Sequence, residues 1–299
     1  MSRNSFKFGM GWLADYPDFR DLTVNDNIIP DKLKQAGQKD SVREMLTKVG
    51  VDKPVKVKLP QSVDLRDWFS PVEDQGSLGS CTANAGVALV EYFERRAYQK
   101  YIDASRLFLY KVTRNLMHET GDNGAFLRNT MSAMVLFGVP PEEYWPYKIE
   151  DFDKEPTAFC YSFARNYQSI TYYRLDPPET KKKDLLERIK TNLKGDLPSM
   201  FGFTVYSCID EAESTGRIPF PSDGDRILGG HAVVAAGYDD KMVIKNSKPG
   251  ALLIRNSWGK DWGENGYGWL PYDYVLKGLA VDWWSLLKNE WVDTGKFKA

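Results

Sequence analysis

Residues 74–85 read DQGSLGSCTANA, and they lead into the run CTANAGVALVEYFERRAYQ from Cys81 to Gln99. Along that run Ala85, Ala88, Leu89 and Tyr92 recur at three- and four-residue spacing, while Glu91, Glu94, Arg95 and Arg96 stay polar. This period predicts an amphipathic helix with Cys81 in its first turn. A thiol reacts as thiolate, and its pKa falls from ~8.5 to about 3.5–7.5 at a helix N-terminus or beside an imidazolium. Cys81 is therefore the candidate nucleophile.

Working outward, Ser41 and Glu44 in SVREMLTKV have the spacing of a capping box and predict a helix from Val42 to Val49. Lys53 to Lys58 reads as an exposed linker, and the compact part is expected to begin near Leu59. Asp103–Met117, Arg128–Phe137 and LLERIKTNLK before Gly195 are further helix candidates. After Pro198 come β-rich runs: FGFTVYS, HAVVAAGYDD, KMVIKNS, ALLIRNS and GYGWLPYDYV. The expected organisation is an N-terminal extension (1–58), a mainly helical part (59–165) and a mainly β part (166–299). Lys181 to Lys183 reads as a solvated helix start.

Composition narrows the classes. The 299 residues carry 40 Lys and Arg against 41 Asp and Glu, a net charge of −1, which argues against nucleic acid as a partner. No apolar run approaches the ~18 residues of a membrane span. Three cysteines allow at most one disulfide, so a disulfide-stapled scaffold is excluded. The opening MSRNSFKFGMGWLADYPDFRD lacks the apolar core of a secretory signal, so the expected location is the cytoplasm or export by another route. Scattered Cys and His offer no metal-ligand spacing, and no cofactor is expected.

Only two histidines can serve a thiol as base. His118 in NLMHETGD sits at a helix end and reads as exposed or capping. His231 in GGHAVVAAGY opens an apolar strand, where, taken alone, a core histidine is more usual than a catalyst. Asn256 ends LLIRNSWG, and its amide oxygen could hold one ring nitrogen of His231 and leave the other for the thiol. Cys160 and Cys208 lie among apolar neighbours and read as packing residues. Gly263, Gly266 and Gly268 mark a turn and not a phosphate loop.

Taken together, DQGSLGSCTANA, GGHAVVAAGYDD and LLIRNSWGKDWGENGYG resemble the papain-like cysteine peptidases. The resemblance runs from about Leu59 to the C-terminal region, with 150 residues from Cys81 to His231 and 25 from His231 to Asn256. It implies an α+β fold of two lobes, one helical and one antiparallel and β-barrel-like, with the cleft between them. It makes Cys81 the nucleophile, ionised at rest, His231 the acid/base, Asn256 the orienter and Gln75, with the Cys81 amide, the oxyanion donor. Trp258 would shield the Asn–His bond, and Trp262 would form an apolar surface on the leaving-group side.

By the same resemblance Asn123, Gly124, Ala125, Leu127, Gly230 and Ala232 would bind an extended peptide or protein substrate, with Leu127 and Ala232 lining a pocket for an apolar or aromatic side chain. Leu78 and the stretch Gly121–Ala125 stand where the family usually has a disulfide pair, which resembles bacterial members lacking that bridge. Residues 1–58 would be an inhibitory prosegment running backwards through the cleft, or else a permanent extension. The implied activity is endopeptidase action through an acyl-enzyme. Acyl transfer or peptide ligation by the same residues, and silent peptide binding, remain the alternatives.

Overall fold

The computed structural model describes residues 8–35, 37–51, 59–167 and 171–297; the linker expected at Lys53–Lys58 lies outside them. The helices are α1 (Asp31–Gln35), α2 (Val42–Lys48), α3 (Cys81–Tyr98), α4 (Arg106–Leu116), α5 (Leu127–Phe137), α6 (Ala158–Ala164), α7 (Lys182–Lys194), α8 (Tyr272–Leu276) and α9 (Asn289–Val292). The strands are β1 (Trp12–Leu13), β2 (Ser62–Asp64), β3 (Ala125–Phe126), β4 (Thr171–Arg174), β5 (Ser199–Tyr206), β6 (Ile227–Asp239), β7 (Ala251–Arg255), β8 (Tyr267–Pro271) and β9 (Ala280–Leu287).

Helix α3 is the spine. It starts at Cys81 after Ser80 and stops where Gln99 turns left-handed, with φ 59°. Its small residues let neighbours close in: a Cβ on Gly86 would sit 3.2 Å from Thr130 of α5 and 3.3 Å from Leu109 of α4. The opposite flank of α3 packs on β6. Helix α4 begins at Ser105, whose hydroxyl accepts from the Phe108 amide. His118 follows α4, exposed and left-handed at φ 59°.

Seven strands form one antiparallel sheet in the order β4-β9-β5-β6-β7-β8, with β2 also paired to β6. The architecture is α+β as expected. The described strands do not close into a barrel, because β4 and β8 end the pairing order as separate edges. KMVIKNS, expected as a strand, is a turn-rich excursion between β6 and β7, closed by the Gly250 amide on the Met242 carbonyl at 2.8 Å. The tail of GYGWLPYDYV folds into α8 once Pro271 ends β8. Strand β9, which sequence reading passed over, runs between β4 and β5 in the pairing order.

The extension is not uniform. Ser41 and Glu44 make the capping box in full, and Val42, Met45, Leu46 and Val49 are buried. Asn289 of α9 accepts from the Lys39 amide at 3.0 Å and ties this helix to the C-terminal end. By contrast Tyr16, Phe19 and Ile28 are 88%, 95% and 73% exposed. Helix α2 thus belongs to the body, whereas several large side chains of the chain before it stand in solvent. Met45→Ala is expected to cost about 2–5 kcal/mol in denaturant unfolding, as for other buried methionines; a loss below about 0.5 kcal/mol would show that α2 is only laid on the surface.

Candidate active site

Cys81 and His231 are both fully buried, Cys81 at the start of α3 and His231 on β6. The backbone amides of Ala232 and Gly11 approach the Cys81 sulfur, so the thiol lies against the residue that follows the histidine. His231 Nε2 is 2.8 Å from Asn256 Oδ1. That oxygen also accepts the Ser257 backbone amide at 2.8 Å, and an amide nitrogen can only donate. The atom facing the ring is therefore an acceptor, which assigns the proton to Nε2 and leaves Nδ1 bare. Nδ1 has no hydrogen-bond partner. Trp258 stacks on the imidazole with centroids 4.4 Å apart.

Gln75 is clamped from both sides. Its Oε1 accepts from Ser257 Oγ at 2.5 Å and its backbone amide donates to the Ser257 carbonyl at 2.8 Å. The side-chain nitrogen, thereby directed away, donates to the Leu78 carbonyl at 2.8 Å and the Gly9 carbonyl at 3.1 Å. Trp258 Nε1 donates to the same Gly9 oxygen at 3.3 Å.

Gly9 belongs to the N-terminal segment, which fills the site. Phe8 stacks on Trp258 at 4.9 Å, and Trp12 and Leu13 pair in parallel with Ala125 and Phe126. A Cβ on Gly9 would lie 2.1 Å from the Leu78 carbonyl oxygen, and one on Gly11 would lie 1.9 Å from that of Gly79. Only glycine lets the backbone lie this close. Gly124 makes the matching allowance at φ 78°, where a Cβ would meet the Gly11 oxygen at 2.2 Å.

This cover changes the electrostatics. Burial pushes the Cys81 thiol up to about 11, against the opposing pull of the surrounding amides. Burial likewise pushes His231 down to about 4, partly offset by Asn256. The expected resting thiolate does not hold for the covered site: near neutrality both groups are uncharged, because solvent that would stabilise either charge is displaced.

The remaining expectations divide. Gly124, Ala125 and Gly230 touch or pair with the segment, and Ala232 is the register partner of Gly202 beneath Trp12. Leu127 is buried at the start of α5. Asn123 instead turns its side chain to its own loop, donating to the Thr120 carbonyl at 2.9 Å. Trp262 is no open surface: it is 2% exposed and set edge-on to Trp258 at 5.4 Å. Cys160 and Cys208 are buried and free. Among the described residues no group of His, Cys, Asp and Glu is arranged to hold a metal ion.

Sequence reading missed Asp122. Its Oδ1 and Oδ2 accept the Gly79 amide at 2.9 and 3.1 Å, and Oδ1 accepts from Tyr110 at 2.6 Å. The Tyr110 oxygen in turn accepts the Gly124 amide at 3.2 Å. Rim and nucleophile loop are thus tied by hydrogen bonds where the resemblance led one to look for a disulfide. The missing cysteine pair was the available signal. Asp122→Ala orphans the Gly79 and Tyr110 donors and is expected to cost about 1–3 kcal/mol in chemical denaturation; an unchanged midpoint would show that the carboxylate ties nothing.

Residues 59–277 match the model of the papain family of cysteine proteases. An uncharacterised peptidase C1-like protein of Acanthamoeba polyphaga mimivirus is 31% identical over 290 residues, covering 95% of this chain and 88% of its own. Chicken cathepsin K is 30% identical over 216 residues, 70% of this chain and 58% of that protein. Among solved structures, xylellain, a cysteine protease from Xylella fastidiosa, superposes with a TM-score of 0.73 at 31% identity, covering 96% of this chain and 99% of the other.

Proposed function

The chain belongs to the papain family of cysteine proteases and is a hydrolase; from that premise we propose that it is an endopeptidase working through Cys81, His231, Asn256 and Gln75, and that its own N-terminal segment holds it inactive. The observation that carries the reading is the bare Nδ1 of His231, presented on the strand whose next amide touches the thiol, with Nε2 pinned by Asn256.

Once the cleft is open to solvent, the burial penalty on both charges falls, and the thiol proton can pass to Nδ1. The thiolate attacks a peptide carbonyl. Negative charge then appears on the oxygen, and Gln75 Nε2, now relieved of the Gly9 carbonyl, is the fixed donor that meets it, together with the Cys81 amide. Losing such a donor typically costs on the order of 10²–10³ in rate. The imidazolium protonates the leaving amine, and the neutral ring then takes a proton from the water that hydrolyses the acyl-enzyme.

The direction of the segment supports inhibition. A leaving amine must lie at the imidazole, so a substrate passes His231 and Trp258 on its C-terminal side. The segment has its N-terminal end there, at Phe8, and continues toward Ala125. It runs opposite to a substrate and offers Cys81 the Gly11 amide. Because α2 is embedded in the body, the removable part ends before Ser41 and not at residue 58.

In the covered protein the thiol, pushed up to about 11 by burial, is held as the neutral, unreactive form at pH 7. Full-length protein is therefore expected to react slowly with an epoxide thiol inhibitor. Gly9→Ala with Gly11→Ala, which forces the segment off the 78–79 backbone, should speed labelling and peptide hydrolysis about tenfold or more. Cys81→Ala should abolish both, and the N-terminus of activated protein read by intact mass should fall between residues 14 and 41. Hydrolysis by the Cys81→Ala protein, or loss of α2 on activation, would contradict the proposal.

A further inference from the structure

Arg128 stands in the first turn of α5, just beyond the rim strand β3, with its guanidinium turned to the N-terminal segment. Among the described residues every hydrogen bond of Arg128 ends there. Nε and Nη2 donate to the two carboxylate oxygens of Asp21 at 2.8 Å each, Nη1 donates to Asp15, and Nη2 also donates to the Tyr16 carbonyl at 2.7 Å. The paired donation to Asp21 is the fork by which a guanidinium recognises a carboxylate. Behind it lies Arg174 of β4, whose side chain is 1% exposed. Its Nε and Nη2 face Asp176 at 2.9 Å and Asp282 at 3.3 Å, both on the body. Its Nη1 is buried without a hydrogen bond and stands 3.6 Å from Asp21 Oδ2. Both guanidiniums lie over the ring of Trp284, 5.7 and 5.0 Å from its centroid.

Resting on the peptidase reading, we propose that Arg128 and Arg174 form an anion site at the far end of the cleft, and that the open enzyme uses it to take an acidic side chain of the substrate four or five residues before the scissile bond. In the covered protein Asp15 and Asp21 occupy that site from within the chain. When the segment leaves, Arg174 keeps Asp176 and Asp282, whereas Arg128 keeps none of its partners. Its charge cannot be relieved by losing a proton. The first turn of α5 holds no acidic residue to neutralise it, and the helix dipole there favours a further anion. Four carboxylates now face the two guanidiniums, so one carboxylate from a substrate brings back less negative charge than the segment removes. A lysine side chain would instead meet an unneutralised cation.

The register sets the position. The Gly11 amide approaches the Cys81 sulfur, Leu13 pairs with Phe126, and Asp15 meets Arg128. An extended chain advances ~3.3 Å per residue, so the four steps from Gly11 to Asp15 span ~13 Å. A substrate running the opposite way covers that distance with the fourth or fifth residue on the amino-terminal side of the bond it loses.

The test uses full-length protein carrying Gly9→Ala and Gly11→Ala to lift the segment, and Asp15→Asn with Asp21→Asn to free Arg128. Internally quenched peptides share leucine at the second residue before the scissile bond and differ only in placing aspartate, asparagine or lysine at the third, fourth or fifth. Aspartate at the fourth or fifth residue should exceed asparagine in kcat/KM by about tenfold, the worth of one hydrogen-bonded pair to a charged group. The gain should lie in KM with kcat unchanged, and it should shrink as salt is raised. Lysine should be the poorest of the three. Arg128→Glu should make lysine better than aspartate, a swap that an arginine with a merely structural role would not produce. The substrate comparison on the protein that keeps Arg128 stands even if that variant folds poorly. Equal rates for aspartate and asparagine at all three positions, or an aspartate preference that survives Arg128→Glu, would overturn this inference while leaving the peptidase intact. A protein that neither takes the epoxide nor cleaves any peptide would instead remove the peptidase reading, and this inference with it.

Discussion

Packing of α3 on β6 is the constraint on which the rest depends, because it brings the first residue of a helix against the middle of a strand 150 positions later in the chain. Neither element could supply the chemistry alone. The small residues of α3 and the buried apolar run of β6 set how near the two backbones come, and that distance decides whether the Cys81 sulfur meets the Ala232 amide. The neighbouring strand β7 then delivers Asn256 beyond its end, where Ser257 fixes both the asparagine amide and Gln75. One serine thereby orients both the asparagine oxygen that faces the His231 ring and the Gln75 side chain.

A second consequence concerns charge. A thiol at a helix start is often described as acidic by virtue of its position, yet here four backbone amides do not offset the loss of water. Desolvation wins because burial penalises a full charge, whereas each amide contributes only a partial one. In the proposed inhibition the covering segment acts twice, sterically through Gly9 and Gly11 and electrostatically by keeping both members of the pair neutral. Its hold comes from backbone complementarity near the sulfur and from ion pairs of Arg128 with Asp15 and Asp21 further along.

Much of this was legible in the sequence where the signal is local or periodic. The capping box of Ser41 and Glu44 and the helix begun by Cys81 rest on local spacing that survives folding, whereas the partnership of His231 with Asn256 was what the family resemblance implied. What escaped reading depends on tertiary placement. KMVIKNS has the composition of a strand, but the turn following Asp239 keeps it off the sheet. Asp282 lies in AVDWWSLL, whose aromatic bulk hides a carboxylate made tolerable by Arg174 and by the indole N–H groups of Trp12 and Trp284. Gly9 and Gly11 look like ordinary flexible residues until the carbonyls of Leu78 and Gly79 are set against them. Asp122 was visible only as an absence of cysteine.

The charge state of His231 in the covered protein tests the account most directly, and with two histidines in the chain its ring nitrogens can be assigned by nitrogen-15 NMR with a His118 variant as control. The account predicts a neutral ring in full-length protein from pH 8 down to about 5, protonated on Nε2 and bare on Nδ1, consistent with a value pushed down to about 4 by burial. An imidazolium at pH 7 in that protein, or a neutral ring carrying its proton on Nδ1, would contradict it.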